Sequence, residues 1–243
     1  MSKKNRGRKT NVTNNNLVLD KINPITPAQL KTFQSYYNNK NLFLSGYAGT
    51  GKTFIAVGLA LEDLMNTSYY THLKIIRSAV SSRDIGHLPG SILEKTKIFE
   101  QPYTDIVNEL FGRGDAYDIL KIKKKIDFTT TSFLRGTTFK DSIILVDECQ
   151  NMTFQELDTI ITRFGDNCKI IFAGDYRQTD LNKKTDFSGI HSFTNIIKSI
   201  GSFEFIDFKE NDIVRSGLVK EYIIAKENIN NKNIQHIINP VHA

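Results

Sequence analysis

Asn41-Leu42-Phe43-Leu44-Ser45-Gly46-Tyr47-Ala48-Gly49-Thr50-Gly51-Lys52-Thr53 is the stretch on which the reading of the fold turns. The short apolar run 41–45 has the length and composition of a buried strand, and apolar residues at helical spacing follow over 51–65. Between them, Gly46 to Thr53 fits G-x-x-x-x-G-K-[ST] at every fixed position. Glycines let the backbone turn so that successive N–H groups converge on an anion. The following helix aims the positive end of its dipole at the same point. Gly46, Tyr47, Ala48, Gly49, Thr50 and Gly51 therefore form the expected phosphate cradle. Lys52 reaches the β- and γ-phosphates, and the Thr53 hydroxyl is the expected magnesium ligand.

Working outward, short apolar runs alternate with segments of helical period. Strands are expected at 41–45, 73–77, 127–131, 142–146, 169–173 and 203–207. Helices are expected at 27–37, 51–65, 103–111, 153–164, 190–200 and 216–227. Several strands are apolar on both faces, as in a parallel sheet covered on both sides. The alternation predicts a doubly wound, mostly parallel α/β sheet in one domain over 17–228. In such sheets ligands bind at the carboxyl ends of the strands, so chemistry-bearing residues should directly follow strands.

They do so at two further places. Ser142-Ile143-Ile144-Leu145-Val146 runs into Asp147-Glu148-Cys149-Gln150. Asp147 is placed to hold magnesium, and Glu148 to orient or deprotonate an attacking water. A pleated strand would send these neighbours to opposite faces, but the strand is ending there, so both can serve one site. Lys169-Ile170-Ile171-Phe172-Ala173 is followed by Gly174-Asp175-Tyr176-Arg177-Gln178. The Gln178 amide can donate to a γ-phosphate and accept from the lytic water, and Asp175 is expected near Lys52 or the metal's water shell. Upstream, Gln29 has the donor and acceptor that match the edge of adenine. A helix start with Pro27 at its first position accounts for the same residues without base recognition.

Composition narrows the class. The chain has 243 residues, 40% hydrophobic and 24% charged, with no apolar run of membrane-spanning length. Cys149 and Cys168 are too few for a disulfide framework, which fits a reducing cytoplasm. Much of the net charge of +6 comes from Lys3, Lys4, Arg6, Arg8 and Lys9. Residues 1–16 therefore read as a disordered basic arm, able to bind nucleic acid or only to solvate the chain. Residues 229–243 read as a C-terminal tail. A second basic run, Lys121 to Lys125, reads as the solvated end of a helix. Phe99, Tyr103 and Phe111 lie at near-helical spacing and read as core.

Taken in order, these motifs resemble the PhoH-like ATPase family over most of residues 22–227. The likeness includes Arg77-Ser78-Ala79-Val80, Gly86-His87-Leu88-Pro89-Gly90, Phe133-Leu134-Arg135-Gly136-Thr137 and Asp147-Glu148-Cys149-Gln150-Asn151-Met152-Thr153. Thr162-Arg163-Phe164-Gly165, Gly174-Asp175 with Gln178, and Asp212-Ile213-Val214-Arg215 extend it. The chain is most similar to short, phage-encoded members that carry the ATPase domain alone. Cys149 departs from the family's usual alanine. The resemblance implies a RecA-like P-loop core, ATP and Mg2+ as cofactors, a link to single-stranded RNA or DNA with RNA favoured, and ring-like homo-oligomers, hexamers among them. It makes Arg135, Arg163 and Arg215 candidates for an arginine finger or phosphate contact. With one such core expected, any motor would need an oligomer. A non-catalytic ATP-dependent switch and, further off, a nucleoside kinase are the competing readings.

Overall fold

In the computed structural model the described residues are 17–78, 92–134, 136, 138–175 and 184–238. The basic arm, His87, Arg135 and Gln178 lie outside them. Six strands appear, each within a residue or so of its expected bounds: β1 (Asn41–Gly46), β2 (His72–Arg77), β3 (Ile126–Thr130), β4 (Ser142–Asp147), β5 (Cys168–Gly174) and β6 (Phe203–Phe208). They form one sheet in the order β3-β2-β4-β5-β1-β6. Every pairing between them is parallel. All carboxyl ends therefore lie along one edge, with β5 between the loop-bearing β1 and the acid-bearing β4.

Two apolar layers cover the sheet, and the strand residues alternate strictly between them. Leu42 and Leu44, Ile143 and Leu145, and Ile171 and Ala173 join one layer. Helices α1 (Pro27–Tyr37), α2 (Lys52–Asn66), α3 (Ile92–Leu110) and α4 (Ala116–Ile122) supply its other wall. Phe43, Ile144, Val146, Ile170 and Phe172 join the second layer, beneath α5 (Phe154–Ile161) and α6 (Lys184–Lys198). The doubly wound parallel fold is thus the direct outcome of strands that are apolar on both faces. α7 (Gly217–Ile238) closes the described chain. No helix among the described residues is long and apolar enough to cross a membrane.

Helix bounds differ from expectation in instructive ways. α3 begins well before residue 103 and carries Pro102 inside it. Proline removes one backbone donor and usually reads as a helix start. Here Pro102 is on the exposed side, so water can satisfy the carbonyl it leaves free, while Tyr103, Val107 and Leu110 bury the opposite face. α4 is too short to show two periods in sequence, although the basic run does close it, with Lys121 in its last turn on Glu100. α7 continues to Ile238, beyond the expected stop at 227.

The second layer centres on aromatic stacking. The Phe43 ring lies 5.5 Å from Phe172 and 5.1 Å from Phe205, and Phe172 meets Phe193 edge-on at 5.3 Å. Phe172→Ala is expected to destabilise the fold by about 3–5 kcal/mol, measurable by urea unfolding. A loss near zero would mean that this layer is not close-packed.

A candidate phosphate and metal site at the carboxyl edge

The loop after β1 takes the shape its glycines predict. Gly46 has φ +124°, and a Cβ there would lie 2.0 Å from the Phe208 carbonyl oxygen, so a side chain would force β1 and β6 apart. The Tyr47 N–H donates to that same carbonyl at 3.0 Å. Thr50 closes the turn by donating its hydroxyl to Tyr47 O at 2.8 Å. α2 then starts at Lys52 with no side-chain cap, which leaves its first N–H groups available to an anion.

Lys52 is folded over its own loop. Its Nζ donates to Gly46 O at 2.9 Å and Tyr47 O at 2.7 Å. Burial lowers its pKa; Asp175 opposes this most strongly, then Asp147 and Glu148. The expected nearness of Asp175 to Lys52 thus appears as electrostatic coupling.

The acids converge as expected, by a route the sequence did not reveal. Strand alternation places Asp147 on the α2 side of the sheet. There its Oδ1 accepts from the Thr53 hydroxyl at 3.0 Å and its Oδ2 from the Tyr103 hydroxyl at 2.8 Å. The same alternation would send Glu148 to the other side. Its backbone instead adopts a left-handed conformation (φ 52°, ψ 39°), which ends the pleat. Left-handed non-glycine residues are strained and concentrate at functional sites. Gln150 then fixes the result: its amide nitrogen donates to Glu148 Oε2 at 2.5 Å, and its amide oxygen accepts from the Asp175 N–H at 3.0 Å. Gly174 leaves room for this bridge, since a Cβ there would lie 2.5 Å from Gln150 Oε1.

Burial, and then the neighbouring Glu148, raise the Asp147 pKa to about 6, against the pull of Tyr103, Thr53 and Arg77. Arg77 ends β2 in register with Asp147, its guanidinium 5.6 Å from the centre of the Phe99 ring. Tyr103, read from sequence as core, is fully buried and also anchors the acid. Its polar role and that of Gln150 left no signal in sequence spacing.

Gln29 is buried, with Nε2 donating to Thr50 O at 3.0 Å and Oε1 accepting from the Ile25 N–H at 2.9 Å. It ties α1 to the loop, and Pro27 occupies the first turn of α1 as expected. Arg215 lies over Gly49 of its own loop, where a Cβ would approach its Cγ to 2.7 Å, and the Val214 N–H donates to Gly49 O at 3.0 Å. Arg163 is elsewhere. Its carbonyl accepts from Phe139 N, ahead of β4. This is the amino edge of the sheet, about 20 Å from the loop across a seven-residue strand.

Loop, acids and Arg215 line one cavity of about 590 Å³. Its size suits a nucleotide. Thr53 and Asp147 offer the hard oxygen donors that magnesium prefers, and a buried carboxylate with a second acid beside it favours a cation. The residues therefore fit that metal.

Most of the chain is similar to known proteins. The model of a family described as PhoH-like protein matches residues 21–227. A PhoH-like protein from Synechocystis is 34% identical over 190 residues, covering 78% of this chain and 57% of the relative. One from Bacillus subtilis is 31% identical over 206 residues, covering 84% of this chain and 64% of the relative. The chain thus spans less than two-thirds of the length of either. Among solved structures, the large terminase of a thermophilic bacteriophage is similar with a TM-score of 0.47 and 11% identity, over 82% of this chain and 50% of that one.

Because the folded-state pKa of Asp147 lies above the ordinary value of 3.8, its ionisation opposes folding, and the cost grows as pH rises from about 4 through 6. Asp147→Asn is expected to stabilise the nucleotide-free protein at about pH 8 by roughly 2–3 kcal/mol, a gain that fades near pH 4. Thermal denaturation at several pH values measures this. An equal effect at both ends of the range would contradict it.

Proposed function

The chain belongs to the PhoH-like protein family, and on that footing we propose that it is a magnesium-dependent ATPase coupled to single-stranded nucleic acid, RNA ahead of DNA. One observation carries the reading. The Thr53 hydroxyl and the Asp147 carboxylate, 94 positions apart, meet at 3.0 Å within the cavity that Lys52 and Glu148 also line.

In this reading the triphosphate lies on the backbone N–H groups of residues 46–51. Lys52 exchanges its loop carbonyls for the β- and γ-phosphates. Thr53 and Asp147 would hold magnesium, which when bound neutralises charge on the phosphates. Glu148, held by Gln150, accepts a proton from water as the water oxygen attacks the γ-phosphorus and the bond to the β-phosphate oxygen breaks. ADP and inorganic phosphate leave. Arg215 reaches the phosphates of its own chain, whereas Arg163, at the far edge of the sheet, can serve only a neighbour's site in a ring such as a hexamer. Gln178 follows Asp175 beyond β5 and is assigned to the γ-phosphate on sequence position, and Arg135 stays a further candidate finger on the same ground. Gln29 supports the loop beneath the base, with one hydrogen and one lone pair left for adenine.

Phosphate release from ATP should rise when single-stranded RNA is added. Lys52→Ala and Glu148→Gln should each lower it by at least about 100-fold, with nucleotide binding retained in Glu148→Gln. Unchanged turnover in Glu148→Gln would remove its assignment as the base.

A further inference from the structure

At the sheet edge opposite the phosphate loop, beside the start of β5, lies a second cavity of about 390 Å³. Tyr36, Tyr37, Tyr69 and Tyr70 line it, together with Asp63 and Lys169. Two of these rings face solvent, Tyr37 at 58% exposure and Tyr69 at 63%, yet both are held. Tyr37 donates its hydroxyl to Glu62 at 2.8 Å and meets Tyr36 edge-on at 5.8 Å. The Tyr69 N–H donates to the Thr67 hydroxyl, its carbonyl accepts from Asn167 at 2.6 Å, and its ring abuts Tyr70 at 5.1 Å. Exposed aromatic rings that are already fixed lose little freedom when something stacks on them.

The floor of the cavity is polar in an uncommon way. Tyr36 is buried, and its hydroxyl donates to Asp63 Oδ2 at 2.7 Å. Lys169, only 5% exposed, has its Nζ 3.8 Å from the centre of the Tyr36 ring and donates to Tyr36 O at 3.0 Å. Among the described residues that is its one hydrogen-bond acceptor, and an ammonium carries three donors. Asp63 likewise keeps Oδ1 beyond its bond to Tyr36. Donors and an acceptor are thus presented around one ring, beneath aromatic walls. Asp63 and Glu62 disfavour a phosphate here, and the buried Lys169 disfavours a cationic ligand. A neutral flat ring that bears a carbonyl next to an N–H matches both charges.

We propose that this pocket binds a nucleobase of a single-stranded nucleic acid, stacked on an exposed tyrosine, with a ring carbonyl on Lys169 and the adjacent N–H on Asp63. Guanine and uracil carry that pair of groups side by side; adenine lacks the carbonyl. A strand rather than a duplex is required, because only unstacked bases expose both a face and an edge. The basic run ending at Lys125 precedes β3 on the same edge, about 14 Å away across three strand spacings. There it can meet the phosphates of the same strand. The pocket is remote from the hydrolytic residues, so this binding stands or falls separately from ATP turnover.

Anisotropy of end-labelled oligo-U, oligo-A and an abasic strand of equal length, with the full chain and no ATP, tests it. Oligo-U should bind most tightly. Tyr37→Ala and Tyr69→Ala should each weaken oligo-U binding by about 5- to 150-fold, leave the abasic strand unaffected, and keep basal phosphate release. Tyr69→Phe should bind as the parent does, and Asp63→Asn should erase the preference for oligo-U over oligo-A. Equal affinity for oligo-U and the abasic strand would overturn the proposal, as would unweakened oligo-U binding in both folded alanine variants. Binding of free uridine without binding of oligo-U would overturn the assignment to a strand.

Discussion

Asp147 sits at the end of a wholly buried strand, in a position where an ionised carboxylate is costly unless its neighbours are arranged around it. Those neighbours come from three other elements. Thr53 from α2 and Tyr103 from α3 each donate a hydroxyl, and Arg77 lies in register on β2. Lys52 lies beside the same acids and is itself pushed toward neutrality by burial. Such a site holds opposite charges out of water without fully satisfying either, a state that suits a polyanion and a divalent cation more than an empty cavity.

The same constraint explains the local strain. A regular pleat would place consecutive acids on opposite faces, so Glu148 reaches the site only by leaving β-conformation for the left-handed region. That choice requires support, which Gln150 provides by bridging Glu148 and the backbone of Asp175. Gly174 allows the bridge because a side chain there would occupy the space of the Gln150 amide. Cys149, between them, points its thiol into the second apolar layer. This side chain therefore contributes to packing.

A second set of ties holds the loop from the side of β6. Asp212 accepts from the N–H of Ala28 at the start of α1 and from that of Lys209. Two residues on, Val214 bonds Gly49, and Arg215 crosses over the loop. Gln29 in α1 bonds Thr50. Segments nearly two hundred residues apart in sequence thereby close one hydrogen-bonded frame around the glycine-rich loop. The geometry of the loop depends on this frame as much as on its own glycines.

The sequence by itself determined the strands, the doubly wound sheet, the glycine-rich loop at 46–53 and the pairing of that loop with an acid-bearing strand. These follow from local rules: apolar runs on both faces of a strand, glycines where the backbone must turn, and lysine and hydroxyl at fixed spacing. Only the tertiary structure decided the rest, because it depends on which distant side chains share a few ångströms. Tyr103 could be read as core but not as a donor to Asp147. The helix expected at 103–111 begins at Ile92, because the exposed setting that lets Pro102 lie inside it was not visible in sequence. Arg163 and Arg215 were equal candidates until the fold placed one over its own loop and the other at the opposite edge. Spacing along a chain fixes period and turn chemistry, whereas burial and long-range contact exist only after folding. The loop at 46–53 could thus be read before folding, while the partners that hold and charge it could not.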